Sequence, residues 1–361
     1  MNNPKKEKKE LPGFVREFSI SAFSIIVALF ISIFFVMLAL NTGFAESTKT
    51  LFSSIWAGSF GSRSQLIETL VFTTPLIFTG LAHAIAFKTG LFNIGVEGQF
   101  IIGMMTATMV GLIPGIPKGI HILLILIVGI VSGGFWAAIP GYLKAKIGTN
   151  EVVNTIMMNF IAMNLANYFT MGVFHKPDSA STFPIKESAY LTRFLGDNYR
   201  LNTGIFIAIL LAVLIYILFW KTTIGYEIRA VGLNPFAAEY GGISIKKNII
   251  LAMAISGAVA GLGGAIHIAG VQHQSVQLFA FPNFGMDGIA VALVAKSNPI
   301  GVIFSALLFG ALNLSSGTLM LYGIPKTISA LVQGIVILFI AAEYIFKWIS
   351  EKRKKEAIVN E

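Results

Sequence analysis

The feature that most constrains this sequence is a series of long apolar stretches almost free of charged side chains. The first, Phe18–Leu40, contains 23 residues and no charged residue. A helix needs about 20 apolar residues to cross the hydrocarbon core of a bilayer, which is about 30 Å thick. A secretory signal peptide has an apolar region of only about 7–15 residues and a small-residue cleavage site, and this stretch has neither feature. We therefore expect a retained membrane-spanning helix.

Similar apolar stretches follow along the chain. Asp, Glu, Lys and Arg make up only 12% of the sequence, about half of the roughly 25% that is usual in soluble domains. This argues against a water-soluble enzyme and excludes a disordered or fibrous chain. The predicted fold class is all-α: a polytopic membrane protein with about ten transmembrane helices, including broken or half-helices. The expected spans are Phe18–Leu40, Leu66–Phe87, Ile94–Ile113, Ile120–Leu143, Val152–Phe174, Gly204–Trp220, Asn248–Gly270, Met286–Ala295, Gly301–Leu314 and Thr327–Trp348.

The apolar stretches in the last part of the chain are less regular in length. Met286–Ala295 is too short to cross a bilayer alone, and we expect a half-helix that meets Gly301–Leu314 at the break Lys296-Ser297-Asn298-Pro299. Whether residues 286–314 cross twice or re-enter stays open. A second gapped region lies around Gly90–Gln99, and a broken helix in each half of the chain is a common transporter pattern.

The basic residues are distributed unevenly between the expected loops. With a cytoplasmic N-terminus and every expected segment crossing, 18 of the 26 Lys and Arg residues fall inside, as the positive-inside rule predicts. Orientation in a membrane thus explains most of the net charge of +9, and nucleic acid is not an expected partner. The expected organisation is a basic cytoplasmic N-terminus at 1–17, a transmembrane domain at 18–348 and a cytoplasmic tail at 349–361. Within the domain lie an external segment at 175–201 and a cytoplasmic loop at 221–247.

The sequence lacks the residues that several kinds of chemistry require. The chain has no cysteine, which removes disulfides, thiolate metal sites and cysteine nucleophiles. It has no phosphate-binding G-x-x-x-x-G-K-[ST] loop, no H-E-x-x-H and no G-x-S-x-G. Its five histidines form no ligand-spaced cluster. We therefore expect no catalytic residue, no metal and no resident cofactor.

Glycine pairs within two expected spans favour close helix packing. Gly129 and Gly133 are four residues apart, as are Gly257 and Gly261. This spacing lets two membrane helices approach closely.

The cytoplasmic loop contains the signals of a short helix. Asn234 is a good N-cap, Pro235 suits the first helical position, and Gly241 followed by a second glycine would end the helix. Phe236 and Tyr240 are four residues apart and therefore share one face. That apolar face needs a cover, which is either the membrane end of this chain or a partner protein.

The same loop resembles a known family. Residues 225–243, GYEIRAVGLNPFAAEYGGI, resemble the coupling loop of ABC importer permeases for branched-chain amino acids, simple sugars and nucleosides. The segments Lys88–Gln99, Gly148–Asn159 and Met286–Ala295 resemble the nucleoside branch, and the similarity covers about Gly13 to Trp348. Lys296–Pro299 departs from the Gly-Gly-Thr-type run of ribose permeases.

The resemblance implies a transport subunit that moves nucleosides across the bacterial cytoplasmic membrane by alternating access. It implies three partners: a separate ABC ATPase subunit that uses ATP and Mg, a second related permease, and an extracytoplasmic substrate-binding lipoprotein. A simple-sugar permease of the ribose type is the alternative, followed by an ion-coupled secondary transporter. The residues that it assigns to ATPase coupling are Glu227, Arg229, Asn234, Pro235, Ala237, Glu239 and Gly241.

Polar residues inside the membrane are the candidates for a solute pathway, because burying them there is costly. Asn93, Glu97 and Gln99 lie in one glycine-punctuated stretch; they either line a path for a neutral polar solute or stabilise a helix break. Phe92 could stack on a base or pack against a neighbouring helix. Two further candidates have equally plain alternatives, helix capping or contact with water at the interface: Asn154 and His267.

Overall fold

The structure, a computed structural model, describes residue 27 and residues 30–338, except 197, 326, 329, 332–333 and 336–337. The expected N-terminus and C-terminal tail lie outside the described residues, as do most of Thr327–Trp348 and the first part of Phe18–Leu40. The described chain separates into two compact units. One is Ser53–Thr318, and it contains every site described below.

The described residues are built from α-helices and contain no β-strand, only three isolated bridges. This agrees with the predicted all-α class. Short π-helical turns extend two of the helices, at Phe169–Val173 and Ile268–Gln272. The helices are α1 (Phe30–Leu40), α2 (Phe44–Ser59), α3 (Arg63–Lys88), α4 (Val96–Gly111), α5 (Lys118–Ile147), α6 (Glu151–Tyr168), α7 (Gly204–Lys221), α8 (Thr223–Leu233), α9 (Pro235–Tyr240), α10 (Ile245–His267), α11 (Phe284–Val294) and α12 (Pro299–Leu321).

Five described helices are long and apolar enough to cross a membrane: α3, α5, α7, α10 with its π turn, and α12. A sixth span results if α1 and α2, which are joined by a sharp bend, count as one. The chain is therefore a polytopic membrane protein. Helix α2 was not predicted, because Glu46, Ser47 and Lys49 interrupt any apolar run there.

The two glycine pairs meet where α5 crosses α10. A Cβ atom on Gly133 would collide with the carbonyl oxygen of Gly257, and one on Gly261 would collide with that of Gly129. The main chains are thus in direct contact, as predicted from the spacing. Helix α4 packs equally closely on α10, since a Cβ on Gly264 would collide with the carbonyl oxygen of Phe100.

The chain breaks between α11 and α12 where the sequence predicts it. With 11 residues, α11 is about 16 Å long, whereas α12, with 23 residues, is about 35 Å long. Only the second can cross the hydrocarbon core. Lys296 and Ser297 have positive φ angles of 51° and 55°. The Asn298 side chain then accepts hydrogen bonds from the first amides of α12, at 3.0 and 3.3 Å.

Candidate functional site

The first turns of α4 and α11 are joined by one carboxylate. Glu97 of α4 is fully buried. Its Oε1 accepts a hydrogen bond from the Asn283 amide at 2.8 Å, and its Oε2 accepts from the amides of Gly285 and Met286 at 2.6 and 3.1 Å. The first amides of a helix lack partners within it, and a negative charge there is favourable. Asn283 itself makes no side-chain cap, so a residue of another helix caps α11.

Glu97 belongs to a group of buried polar residues, called the cluster below, whose other members are Asn93, Gln99, Asn159 and Ser256. Asn93 and Gln99 exchange two side-chain hydrogen bonds of 3.1 Å. Asn93 also donates to Ser256 of α10 at 3.0 Å, and Ser256 donates to a main-chain carbonyl of α3 at 2.7 Å. Asn159 of α6 accepts from the Gly98 amide at 2.8 Å. The cluster therefore connects α3, α4, α6, α10 and α11.

This geometry shows where the expected pathway residues lie. Asn93, Glu97 and Gln99 come together, at most 1% exposed, with hydrogen bonds directed at protein partners. Sequence reasoning did not identify Ser256 and Asn159 as members of the cluster. Their partners are 163 and 61 residues away along the chain, and no local pattern marks such contacts.

The other three candidates lie in different surroundings. His267 lies beside the cluster and contacts Phe100 of α4 and Phe284 of α11, with ring centroids 5.9 and 5.1 Å away. Its Nδ1 is buried and has no hydrogen-bond partner among the described residues. Phe92 is 40% exposed and stacks on a phenylalanine of α3. Asn154 lies outside the cluster, and its amide donates to Thr149 at 2.6 Å.

The short helix expected within residues 221–247 forms as the sequence predicts. The Asn234 side chain accepts a hydrogen bond from the Ala237 amide at 3.0 Å, Pro235 opens α9, and Gly241 ends it. Helix α8, which was not predicted separately, precedes it and is capped by Thr222.

Helix α9 presents an uncovered apolar surface. Tyr240 is 96% exposed, Phe236 75%, and Leu233 at the end of α8 88%. The described residues of this chain therefore do not cover the Phe236 and Tyr240 rings. These three side chains are called the α9 surface below. The residues exposed around it include Asn234, Pro235, Ala237, Glu239 and Gly241.

The other two residues that the resemblance assigns to ATPase coupling contact neighbouring helices of this chain. Glu227 accepts a hydrogen bond from Asn248 of α10 at 2.9 Å. The guanidinium of Arg229 lies 5.8 Å from the ring centroid of Trp220 on α7. A Cβ on Gly232 would collide with the carbonyl oxygen of Lys88, at the end of α3. Helix α8 thus contacts α3, α7 and α10.

Residues 175–201, which the sequence analysis expects outside the membrane, are folded onto the helix ends. His121 of α5 is buried and hydrogen-bonded to Ser188 at 2.8 Å. Arg193 donates to Nε2 of His273 at 3.0 Å, and Tyr190 stacks on the same imidazole at 3.9 Å between centroids. Burial, followed by the charge of Arg193, lowers the pKa of His273 to about 4. The imidazole is therefore neutral at pH 7 and accepts the hydrogen bond.

Several long apolar helices, short half-helices joined by a buried polar cluster, and an uncovered loop helix are together typical of a membrane transport protein. Comparison of the sequence with known protein families identifies its family. The chain belongs to the family described as the permease component of the branched-chain amino acid transport system, whose pattern matches residues 65–341. It is thus a transport subunit.

Three relatives match most of the chain. It is 42% identical to the guanosine ABC transporter permease protein NupP of Bacillus subtilis, over 86% of this chain and 90% of that protein. It is 38% identical to the nucleoside ABC transporter permease protein NupB of Lactococcus lactis, over 84% and 86%. It is 30% identical to a glucose ABC transporter permease protein of Haloferax volcanii, over 86% and 84%. No solved structure matches the chain.

Proposed function

We propose that this chain is a permease subunit of an ABC importer that moves nucleosides across the bacterial cytoplasmic membrane. The α9 surface carries the proposal of a partner ATPase, because three large apolar side chains lie exposed together on it, and a contiguous apolar patch marks an interaction site. The choice of nucleosides is supported by the names of the two relatives that are 42% and 38% identical.

The contacts of α8 support a mechanical role for the loop. ATP-driven closure of the ATPase would displace α9, and α8 would pass this motion to α3, α7 and α10 through the Lys88–Gly232, Arg229–Trp220 and Glu227–Asn248 contacts. In this proposal the exposed residues of α9 contact the ATPase, while Glu227 and Arg229 transmit its motion. ATP and Mg are used by the ATPase.

The proposed assembly contains two further partners. The guanosine transporter of B. subtilis has a second permease protein, NupQ, that is 29% identical to this chain, which supports a pair of related permeases. We further propose a substrate-binding lipoprotein on the side of the external segment. The proposed topology is about ten spans with both termini in the cytoplasm, as the distribution of basic residues indicates.

The candidate pathway residues divide by their contacts. The proposed solute contacts are His267 and Phe92. The Nδ1 atom of His267 has no hydrogen-bond partner among the described residues, and Phe92 is 40% exposed. Asn93, Glu97 and Gln99 are proposed to shape the path by stabilising the half-helices. Asn154 is proposed to stabilise the start of α6 through its hydrogen bond to Thr149. A simple sugar is the second candidate solute, favoured by the relative named as a glucose permease.

Uptake of labelled uridine by cells with and without the gene tests the solute. We expect deletion to abolish uptake, and unlabelled adenosine but not ribose to compete. Unchanged uridine uptake with loss of ribose entry would refute the nucleoside proposal and leave the permease family intact. Collapse of the membrane potential, with ATP maintained, should leave uptake unaffected; loss of uptake would instead indicate an ion-coupled transporter.

Replacement of two side chains of the α9 surface tests the ATPase partner. Phe236→Ser with Tyr240→Ser should abolish co-purification with the ATPase and uptake, with membrane insertion retained. Phe279→Ser is the matched control, because Phe279 is an aromatic residue that is 83% exposed elsewhere in the chain. Normal co-purification of the double variant would remove the coupling proposal.

A further inference from the structure

A groove of ≈ 490 Å³ lies between α3, α7 and α12, and part of the external segment lines it too. Its lining is apolar apart from Thr73 and Arg63, and the Thr73 hydroxyl already donates to a main-chain carbonyl at 2.8 Å. Several of the apolar side chains are widely exposed, among them Leu66 at 45%, Phe206 at 57% and Ile209 at 40%. The interior of the groove is thus apolar, and no polar side chain inside it needs a hydrogen-bond partner from a ligand.

The depth of the groove corresponds to one leaflet of a bilayer. On α3 the apolar lining extends from Leu66 to Ile77, which is about 16 Å along a helix axis. This is about half of the 30 Å hydrocarbon core. A single acyl chain has this reach.

The end of the groove carries a positive charge that pairs with no carboxylate among the described residues. Arg63, the first residue of α3, lines that end, and its guanidinium lies 5.8 Å from the ring centroid of Tyr199. No carboxylate of the described residues pairs with it, whereas the nearby Arg200 forms a salt bridge with Glu68. A guanidinium at the membrane surface is suited to bidentate binding of a phosphate.

We propose that this groove is a lipid site that binds one acyl chain of an anionic phospholipid, with the lipid phosphate on Arg63. The charge at the end of the groove and its one-leaflet depth select a phospholipid. The site is separate from the proposed solute path, because none of the candidate pathway residues lines the groove.

A tryptophan in the groove can report its occupant. The full chain carrying Phe206→Trp is placed in vesicles that contain bromine-labelled phosphatidylglycerol or bromine-labelled phosphatidylcholine. The parent chain already contains four tryptophans. The quenching of the variant minus that of the parent chain therefore gives the quenching of the new tryptophan alone. We expect phosphatidylglycerol to be preferred by about fivefold, the effect of one basic residue near a membrane surface.

Two further variants assign the preference to Arg63. Arg63→Gln should reduce the preference to that of phosphatidylcholine, and Arg63→Lys should retain it. Lys118→Gln is the control, since Lys118 is an exposed basic residue at the start of α5 and outside the groove lining. Equal quenching by the two lipids would mean ordinary annular lipid and would overturn the proposal. Absence of added quenching by either lipid would also overturn it, because another protein segment would then cover the groove.

Discussion

Removal of the Glu97 carboxylate is the sharpest test of the α4–α11 junction. Glu97→Ala leaves the amides of Asn283, Gly285 and Met286 without their acceptor. An unsatisfied buried amide costs about 1–3 kcal/mol. Gly285 is buried, whereas Asn283 is exposed and Met286 is partly exposed. We therefore expect the free energy of unfolding to fall by about 2–5 kcal/mol, less than the sum for three buried amides.

The amide variant separates hydrogen bonding from charge. Gln at position 97 keeps one oxygen, which can still accept from two of the three amides, so Glu97→Gln should cost about half as much as Glu97→Ala. Glu151→Gln is the control: Glu151 also lies in the first turn of a helix, but it pairs with Lys144 at the edge of the fold. Its loss should cost at most about 1 kcal/mol.

Denaturant unfolding of the purified protein in lipid nanodiscs measures these differences, and uptake measures function. Unfolding of Glu97→Ala at the same denaturant concentration as wild type would refute the capping argument. If Glu97→Gln were as stable as wild type and inactive in uptake, the carboxylate would belong to the solute path itself.

Three further predictions concern other parts of the molecule. Gly133→Ala should destabilise the fold by about 1–3 kcal/mol through overpacking against α10, whereas Gly119→Ala on the same helix, with open space around it, should be nearly neutral in the same unfolding assay. Replacement of both Arg229 and Glu239 should weaken coupling to the ATPase without loss of membrane insertion; unchanged uptake would contradict this. Because the pKa of His273 is lowered from 6.5 to about 4, the unfolded state binds a proton that the folded state does not. Its contribution to stability should therefore be present above pH 6.5 and be lost as the pH falls to 4; His273→Gln should remove this pH dependence of unfolding.

The accuracy of the sequence-based predictions depended on the distance between interacting residues. The short helix Pro235–Tyr240 was predicted correctly because Asn234, Pro235 and Gly241 act on amides within a few positions of themselves. The contact of Gly133 with Gly257 also had a local signal, a spacing of four on each helix. The location of Glu97 in a glycine-punctuated break was visible as well.

The partners of Glu97 were not predictable. Its three hydrogen-bond donors lie 186 to 189 residues further along the chain, and only the folded arrangement of α4 and α11 brings them together. Helix α2 was missed for a different reason. Its polar residues conceal it from a search for apolar runs, although it contains no helix breaker before Gly58.

The crossing of α5 and α10 has a consequence for how the molecule deforms. Where side chains separate two helices, they can change rotamer and let one helix slide past the other. At Gly129, Gly133, Gly257 and Gly261 the carbonyl oxygens instead abut the facing main chain, and any translation by a fraction of a turn would bring rigid atoms into collision. We therefore expect these two helices to move as one body during a transport cycle, and the relative motion to occur at interfaces built from flexible side chains, such as those that surround α7.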